Sequence, residues 1–333
     1  MDVPPALARH RRDVEAFLRP LLDRPGAPQL YSMARYHLGW EDERGNSSDA
    51  GGKGLRGGLC FLACEAAGDG WRTAVPAAAA VELVHSFSLV HDDIQDRDRE
   101  RHHRPAVWTV WGEAQAINAG DALLALARIA LANGSFPAET MVEAGRRLDE
   151  ATLEMVEGQV LDLQFESCDY VNVEEYLDMV GRKTGALFGC ALVLGAVVAG
   201  SRDEHLGQFE RLGRTLGVAF QVRDDVLGIW GDPEKTGKVA GADLQRRKKS
   251  LPVLVALGGP AGDVVRTAYS SDGDVAVEPV VSAMEQAGVQ EECRGLASQM
   301  QAEALRLIEQ MELDGTAGGE LADAVRFLME REY

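Results

Sequence analysis

The chain has 333 residues, 46% of them hydrophobic, with 34 basic against 53 acidic side chains and a net charge of −19. That length makes one large domain or two ordinary ones, with apolar side chains enough for a substantial core. The acidic balance excludes recruitment to nucleic acid or anionic lipid by the overall field, so an anionic substrate must meet local positive charge, from metal ions or from placed Lys and Arg.

The N-terminal MDVPPALARHRRDVEAFL lacks the apolar core of a signal peptide, and a cytoplasmic protein is expected. Helical spacing covers 5–23 and 28–40. The stretch from Ser47 to Gly58 resists helical assignment. It contains Gly51-Gly52-Lys53-Gly54-Leu55-Arg56-Gly57-Gly58, where glycines permit close backbone approach to an anion and Lys53 and Arg56 add charge. It is no Walker A loop, because neither Ser nor Thr follows the lysine.

A helix over 55–68 carries Cys60 and Cys64 at helical spacing, not the CxxC spacing of zinc or redox sites. With Cys168, Cys190 and Cys293 they form an odd, scattered set, read as reduced thiols. The next helix, 73–96, takes Pro76 in its first turn. It stays apolar through Val81–His91 and ends in Asp92-Asp93-Ile94-Gln95-Asp96. Asp92 and Asp96 lie one turn apart and can aim at one point. His85, two turns below Asp92, could donate to a phosphate. A basic run follows, Arg97-Asp98-Arg99-Glu100-Arg101-His102-His103-Arg104, suited to forked hydrogen bonds with phosphate oxygens.

Further helices are expected over 112–133, 138–166, 173–200, 203–229, 251–258, 277–288, 291–312 and 319–331. Asn172 with Glu175 forms an N-cap pair opening the helix that carries Lys183 and Thr184. The apolar run from Gly185 to Gly200 is too short for a membrane span and is read as a buried helix packed through small residues. Gln221 and the pair Asp224-Asp225 close an apolar stretch, echoing the first acidic cluster. Gly231 to Ser250 holds Asp232, Lys238, Asp243 and Lys248 and resists helical assignment. Gathered carboxylates repel unless a hard cation lies between them, and Mg²⁺ completes its octahedron with water and substrate phosphate. The residues therefore point to a Mg²⁺–diphosphate site within an all-α chain.

The motifs GGKGLRG (51–57), HSFSLVHDDIQDRDRERHHRP (85–105), GRKTG (181–185), FQVRDD (220–225) and GDPEKTGKVAGADLQRRKKSLP (231–252), in this order, resemble the trans-isoprenyl diphosphate synthase, or polyprenyl synthetase, family. The resemblance implies a single-domain helical bundle around a central cavity, of isoprenoid synthase type, spanning 1–333, and a homodimer without a transmembrane segment. It implies head-to-tail condensation of isopentenyl diphosphate with an allylic diphosphate. Asp92 and Asp96 would hold two Mg²⁺ and Asp224, supported by Asp225, another, about three per site. Arg101, Lys183, Thr184, Gln221, Lys238 and Lys248 would meet the allylic diphosphate; Lys53, Arg56 and His85 would hold isopentenyl diphosphate. The family pattern differs here at Gly228, where a further Asp is usual, and at His102, where an Arg that touches isopentenyl diphosphate is usual.

The resemblance places the product-length floor at Phe87, with small Ser88 beside it, and geranylgeranyl diphosphate as product, farnesyl diphosphate next. The rival within this fold is a class I terpene cyclase, which ionises a prenyl diphosphate without isopentenyl diphosphate. A non-catalytic subunit would have decayed acids, and Asp92, Asp93, Asp96, Asp224 and Asp225 are all present.

Overall fold

Apolar spacing becomes helix nearly throughout. The computed structural model describes residues 4–168, 170–201, 203–232, 241–271, 273–313 and 315–330. The helices begin with α1 (Pro5–Ala8), α2 (Arg11–Leu18), α3 (Pro28–His37), α4 (Leu55–Ala66) and α5 (Val75–Gln95). A two-stranded hairpin, β1 (Glu100–Arg101) and β2 (Arg104–Pro105), leads to α6 (Val107–Trp111), α7 (Glu113–Ala132) and α8 (Ala138–Ser167). Then come α9 (Val173–Val180), α10 (Ala186–Val198), α11 (Asp203–Trp230), α12 (Ala242–Gln245), α13 (Leu251–Gly258) and α14 (Gly262–Ser270). The last are α15 (Val277–Gln286), α16 (Val289–Gln310) and α17 (Gly315–Glu330).

The centre is α10, whose residues are all buried. Small side chains make that possible. A Cβ on Gly195 would lie 2.1 Å from the Cys60 carbonyl of α4, and one on Gly213 of α11 would lie 2.5 Å from Gly189 Cα. Backbones thus meet on both flanks of α10, and Phe188, Leu192 and Leu194 are sealed from water. Each such large side chain contributes about 1.5–3 kcal/mol. Two helical stretches, Trp71–Gln95 and Val173–Val198, are long and apolar enough to cross a membrane. Both are core elements here, with 67% and 83% of their most apolar windows buried inside the protein.

Six elements depart from the sequence expectations. The helix expected over 5–23 breaks at His10, whose backbone leaves helical values (φ −107°, ψ 10°) while its ring stacks on Trp71 at 3.8 Å. The helix expected over 173–200 widens into a π turn at Gly181–Gly185. Its cause is tertiary: a Cβ on Gly158 of α8 would lie 2.2 Å from the Lys183 nitrogen, so the two backbones touch. Such turns recur at functional sites. Helices α6, α12 and α14 and the β1–β2 hairpin were not expected. By contrast, Asn172 and Glu175 form the expected capping box, with both bonds at 2.9 Å.

Candidate active site

A cavity of about 1460 Å³ opens among α3, α4, α5, α7, α8, α10, α11 and the segment after α12. Ordinary single-ligand pockets measure about 300–1,000 Å³, so this one has room for more than one substrate. Its lining includes every candidate site residue except Asp225 and Lys238. Lys238 lies outside the described residues.

The first wall is the C-terminal end of α5. Asp96 caps the helix, its N–H bonded to the Asp92 carbonyl at 2.8 Å, so both carboxylates leave the same face. Acids here oppose the negative pole of the helix dipole, which costs stability and points to a use. Burial, then the Asp92 charge, pushes the Asp96 carboxyl up to about 6. Lys183, brought in by the π turn, stands 3.4 Å from Asp92 Oδ1 and 2.5 Å from Asp162 Oδ2. Burial opposes its charge, but Asp92 and Asp162 outweigh burial and hold its pKa above the ordinary value.

Asp93 has a different place from its neighbours. It is 1% exposed and takes Arg101 Nε on Oδ1 at 2.9 Å, with Arg101 Nη2 on the same oxygen. Burial pushes its carboxyl up to about 6, though Arg101 pulls the other way. Arg101 lines the cavity with that edge turned toward Asp93.

The facing wall is α11. Asp224, Gln221 and Phe220 line the cavity, and Thr184 Oγ1 donates to Gln221 Oε1 at 3.4 Å. Asp225, expected as a supporting metal ligand, turns away from the cavity. It is 1% exposed and accepts from Gln221 Nε2 at 3.0 Å, from the Leu251 N–H at 2.9 Å and from the Tyr176 hydroxyl. Adjacent helix residues point about 100° apart, so one acid faces the cavity and the other anchors α11 to α9 and α13. Asp243 lines the cavity beside Asp224 and packs over Gly228. Burial disfavours the charge of Lys248, yet Asp225, Asp243, Asp162 and Asp96 together raise its pKa. Lys183 and Lys248 thus stand as countercharges between the two acidic walls.

Another part of the same cavity is lined by Lys53, Arg56, His85 and His102, the candidates for a second diphosphate, together with His37 of α3. The Arg56 guanidinium lies 4.5 Å over the Phe188 ring. Glu82 anchors the helix start, accepting from the Gly57 N–H at 2.7 Å. The hairpin sets His102 at its tip.

The donors on the acidic walls are all hard carboxylate oxygens, and they suit Mg²⁺. Among the described residues no three ligating side chains already converge on one point. A diphosphate between the walls would have to complete the set, as Mg²⁺ sites with few protein ligands require.

Two lining residues gave no motif signal. Asp162 and His37 are isolated in sequence. Asp162 had one indirect mark: Gly158, one turn earlier in a long helix, where a glycine suggests close backbone approach.

Comparison with known proteins places these features in context. A sequence model of the polyprenyl synthetase family matches residues 45–286. The (2E,6E)-farnesyl diphosphate synthase of Mycobacterium tuberculosis is 39% identical over 98% of this chain and 93% of its own length. The geranylgeranyl diphosphate synthase of the same organism is 44% identical over 75% of this chain and 71% of its own. A crystal structure of a polyprenyl synthetase from Streptomyces coelicolor superposes with a TM-score of 0.90 at 38% identity, covering 98% of this chain and 99% of that one.

Proposed function

The chain belongs to the polyprenyl synthetase family, and we propose that it condenses isopentenyl diphosphate with an allylic diphosphate, head to tail, to give geranylgeranyl diphosphate, with farnesyl diphosphate the next product in order. One observation carries this reading. Two acidic helix walls share a cavity with Lys183 and Lys248, and a second cationic group, Lys53, Arg56 and His85, lines the same space.

In this proposal the allylic diphosphate lies between α5 and α11. Lys183, Lys248, Thr184 and Gln221 hold its oxygens, and the free edge of Arg101 faces it. Asp92 and Asp96 on one side and Asp224 with Asp243 on the other would hold Mg²⁺. Bound there, Mg²⁺ supplies neutralising charge to the diphosphate as its C–O bond weakens. The allylic C–O bond breaks and its electron pair leaves with the diphosphate, which the lysines stabilise. Phe87, Leu124, Leu187 and Phe220 give the cavity apolar walls that keep water from the carbocation. The double bond of isopentenyl diphosphate, held at Lys53, Arg56, His85 and His102, attacks that cation. Attack through its terminal carbon leaves the positive charge on the neighbouring tertiary carbon; a proton then leaves the carbon between that centre and the CH2–O–diphosphate, taken by the departed diphosphate, and the new allylic double bond forms. No protein nucleophile is required.

The cyclase reading gives the second cationic group no purpose. Product analysis separates the two: farnesyl, geranyl and dimethylallyl diphosphates are supplied with and without isopentenyl diphosphate. Longer prenyl diphosphates formed only with isopentenyl diphosphate support condensation, and a hydrocarbon formed without it supports cyclisation.

Product length in this proposal is set at Phe87, which is nearly buried, lines the cavity and meets His91 edge-on at 4.9 Å. Ser88 also lines the cavity, its hydroxyl bonded to the His85 carbonyl at 2.8 Å. The proposal includes a homodimer. Val142 (71% exposed), Leu153 (61%), Val156 and Val160 make an apolar stripe along α8, and a second copy would cover it. Light scattering after size exclusion tests that part.

A further inference from the structure

Phe87 is a floor only while its ring keeps one position. It lines a cavity of about 1460 Å³, and a ring with open space on one side can turn among its staggered positions unless neighbours deny them. The neighbour that does so is His91, one turn further along α5. Long side chains on a helix lean back toward its N-terminus, so His91 leans over Phe87. The two rings meet edge-on, their centroids 4.9 Å apart and their planes at 69°.

His91 is held in turn from the other side, by α7. Its Nε2 lies 3.3 Å from the Ile117 carbonyl. A carbonyl only accepts, so that nitrogen carries the proton. Asp121 Oδ1 stands 3.7 Å from the same nitrogen. The ring rests in a notch at Gly120, where a Cβ would lie 2.3 Å from Nε2 and 2.4 Å from Cδ2. Gly120 lies inside α7 and has no left-handed backbone to adopt. In a helix interior glycine is the least favourable residue after proline, so its use here is the space it leaves for the imidazole. His91 directly precedes Asp92, but adjacent helix residues point about 100° apart, and the ring goes to α7 while Asp92 meets Lys183.

We propose, resting on the reading of Phe87 as the floor, that His91 is a positioning residue for product length: seated in the Gly120 notch, it locks the Phe87 ring where chain growth ends. Without the imidazole, Phe87 gains a second resting place, the floor has two depths, and two product lengths are released instead of one.

The test feeds the full chain an allylic diphosphate and radiolabelled isopentenyl diphosphate and separates the products by length at equal turnover. The ratio of lengths within one reaction does not depend on how much of the protein is folded, so a loss of stability alone leaves it unmoved. His91→Gln keeps a donor for the Ile117 carbonyl and loses the ring. It should raise the ratio of the next longer product to the main product about three- to tenfold, the range set by one aromatic pair. Gly120→Ala keeps both rings but closes the notch, and should change the same ratio by about threefold or more. In a Phe87→Ala background His91→Gln should add nothing, because a positioning residue acts only through the ring it positions. A wild-type ratio from His91→Gln or from Gly120→Ala, beside a longer product from Phe87→Ala, overturns the role of His91 alone. So does a His91→Gln effect that persists without Phe87, which would make His91 a floor of its own. An unchanged product from Phe87→Ala overturns the reading of the floor and this proposal with it.

Discussion

Asp243 holds its carboxylate where a side chain at position 228 would stand. A Cβ built on Gly228 lies 2.3 Å from Asp243 Oδ2 and 2.8 Å from its Cγ. The family's usual second acid at 228 is therefore absent, but an acid from α12 occupies its space beside Asp224. Gly228→Ala must push that carboxylate aside. Because the displaced atom ends a flexible side chain, stability should change by less than about 1 kcal/mol. The Mg²⁺ needed for half-maximal activity should rise about three- to tenfold, in line with disturbed support of a metal site. A Mg²⁺ titration of activity checks this, and an unchanged midpoint contradicts it.

Asp225 serves as an anchor. Its three partners, Tyr176, Gln221 and the Leu251 N–H, tie α9, α11 and α13 behind the acidic wall. Asp225→Asn puts an amide where donors converge and should cost about 2–4 kcal/mol. Tyr176→Phe alone should cost about 1–2 kcal/mol, and the double variant less than the sum. Urea titrations measure all three. An Asp225→Asn protein as stable as the wild type contradicts the anchoring role.

Phe87 fills the cavity wall five residues before Asp92. Phe87→Ala removes a buried ring and deepens the cavity, so the product should lengthen by at least one isoprene unit. The deletion should also cost about 3 kcal/mol of stability. A radiolabelled chain-extension assay that returns an unchanged product length contradicts Phe87 as the floor.

The metal-free protein should lose stability on mild acidification. His37, His85 and His102 titrate below their unfolded values. Their contribution is present above the unfolded pKa of about 6.5 and is lost as pH falls from there toward the folded values. Asp93, pushed up to about 6, acts in the opposite sense: its contribution is full below the unfolded carboxylate range and disappears as pH rises through 6. Asp96, also pushed up to about 6, and Glu82 and Asp225, raised by burial, act in the same sense as Asp93 and offset part of the imidazole contribution. Stability in EDTA should fall by about 1 kcal/mol between pH 7 and 5.5. A urea midpoint that stays flat or rises over that interval contradicts the buried, neutral histidines.

How much of this was legible in the sequence depended on whether the cause was local. The capping box at Asn172 and Glu175 and the apolar body of α5 were readable, because neighbours along one helix create them. The π turn was not: it exists because Gly158 of α8 admits the backbone of Lys183. The family resemblance named Asp224 ahead of Asp225, but residue spacing did not show that Asp225 turns from the cavity, since packing of α11 against α9 and α13 decides which acid faces inward. The hairpin strands have two residues each, too few for alternation to show. Asp162 and His37 reach the cavity as single residues from helices without a motif. The family resemblance rests on runs of neighbouring residues, and lone side chains from distant helices escape such a reading.

The central claim is that α5 and α11 grip one diphosphate between them. It is tested most directly by a crystal structure with Mg²⁺ and a non-ionising allylic thiolodiphosphate. The account predicts the diphosphate in the shared cavity, its oxygens reached by Lys183 and Lys248, with metal ions joining it to Asp92 and Asp96 on one side and Asp224 on the other. A diphosphate bound by one wall alone, or outside the cavity, contradicts it.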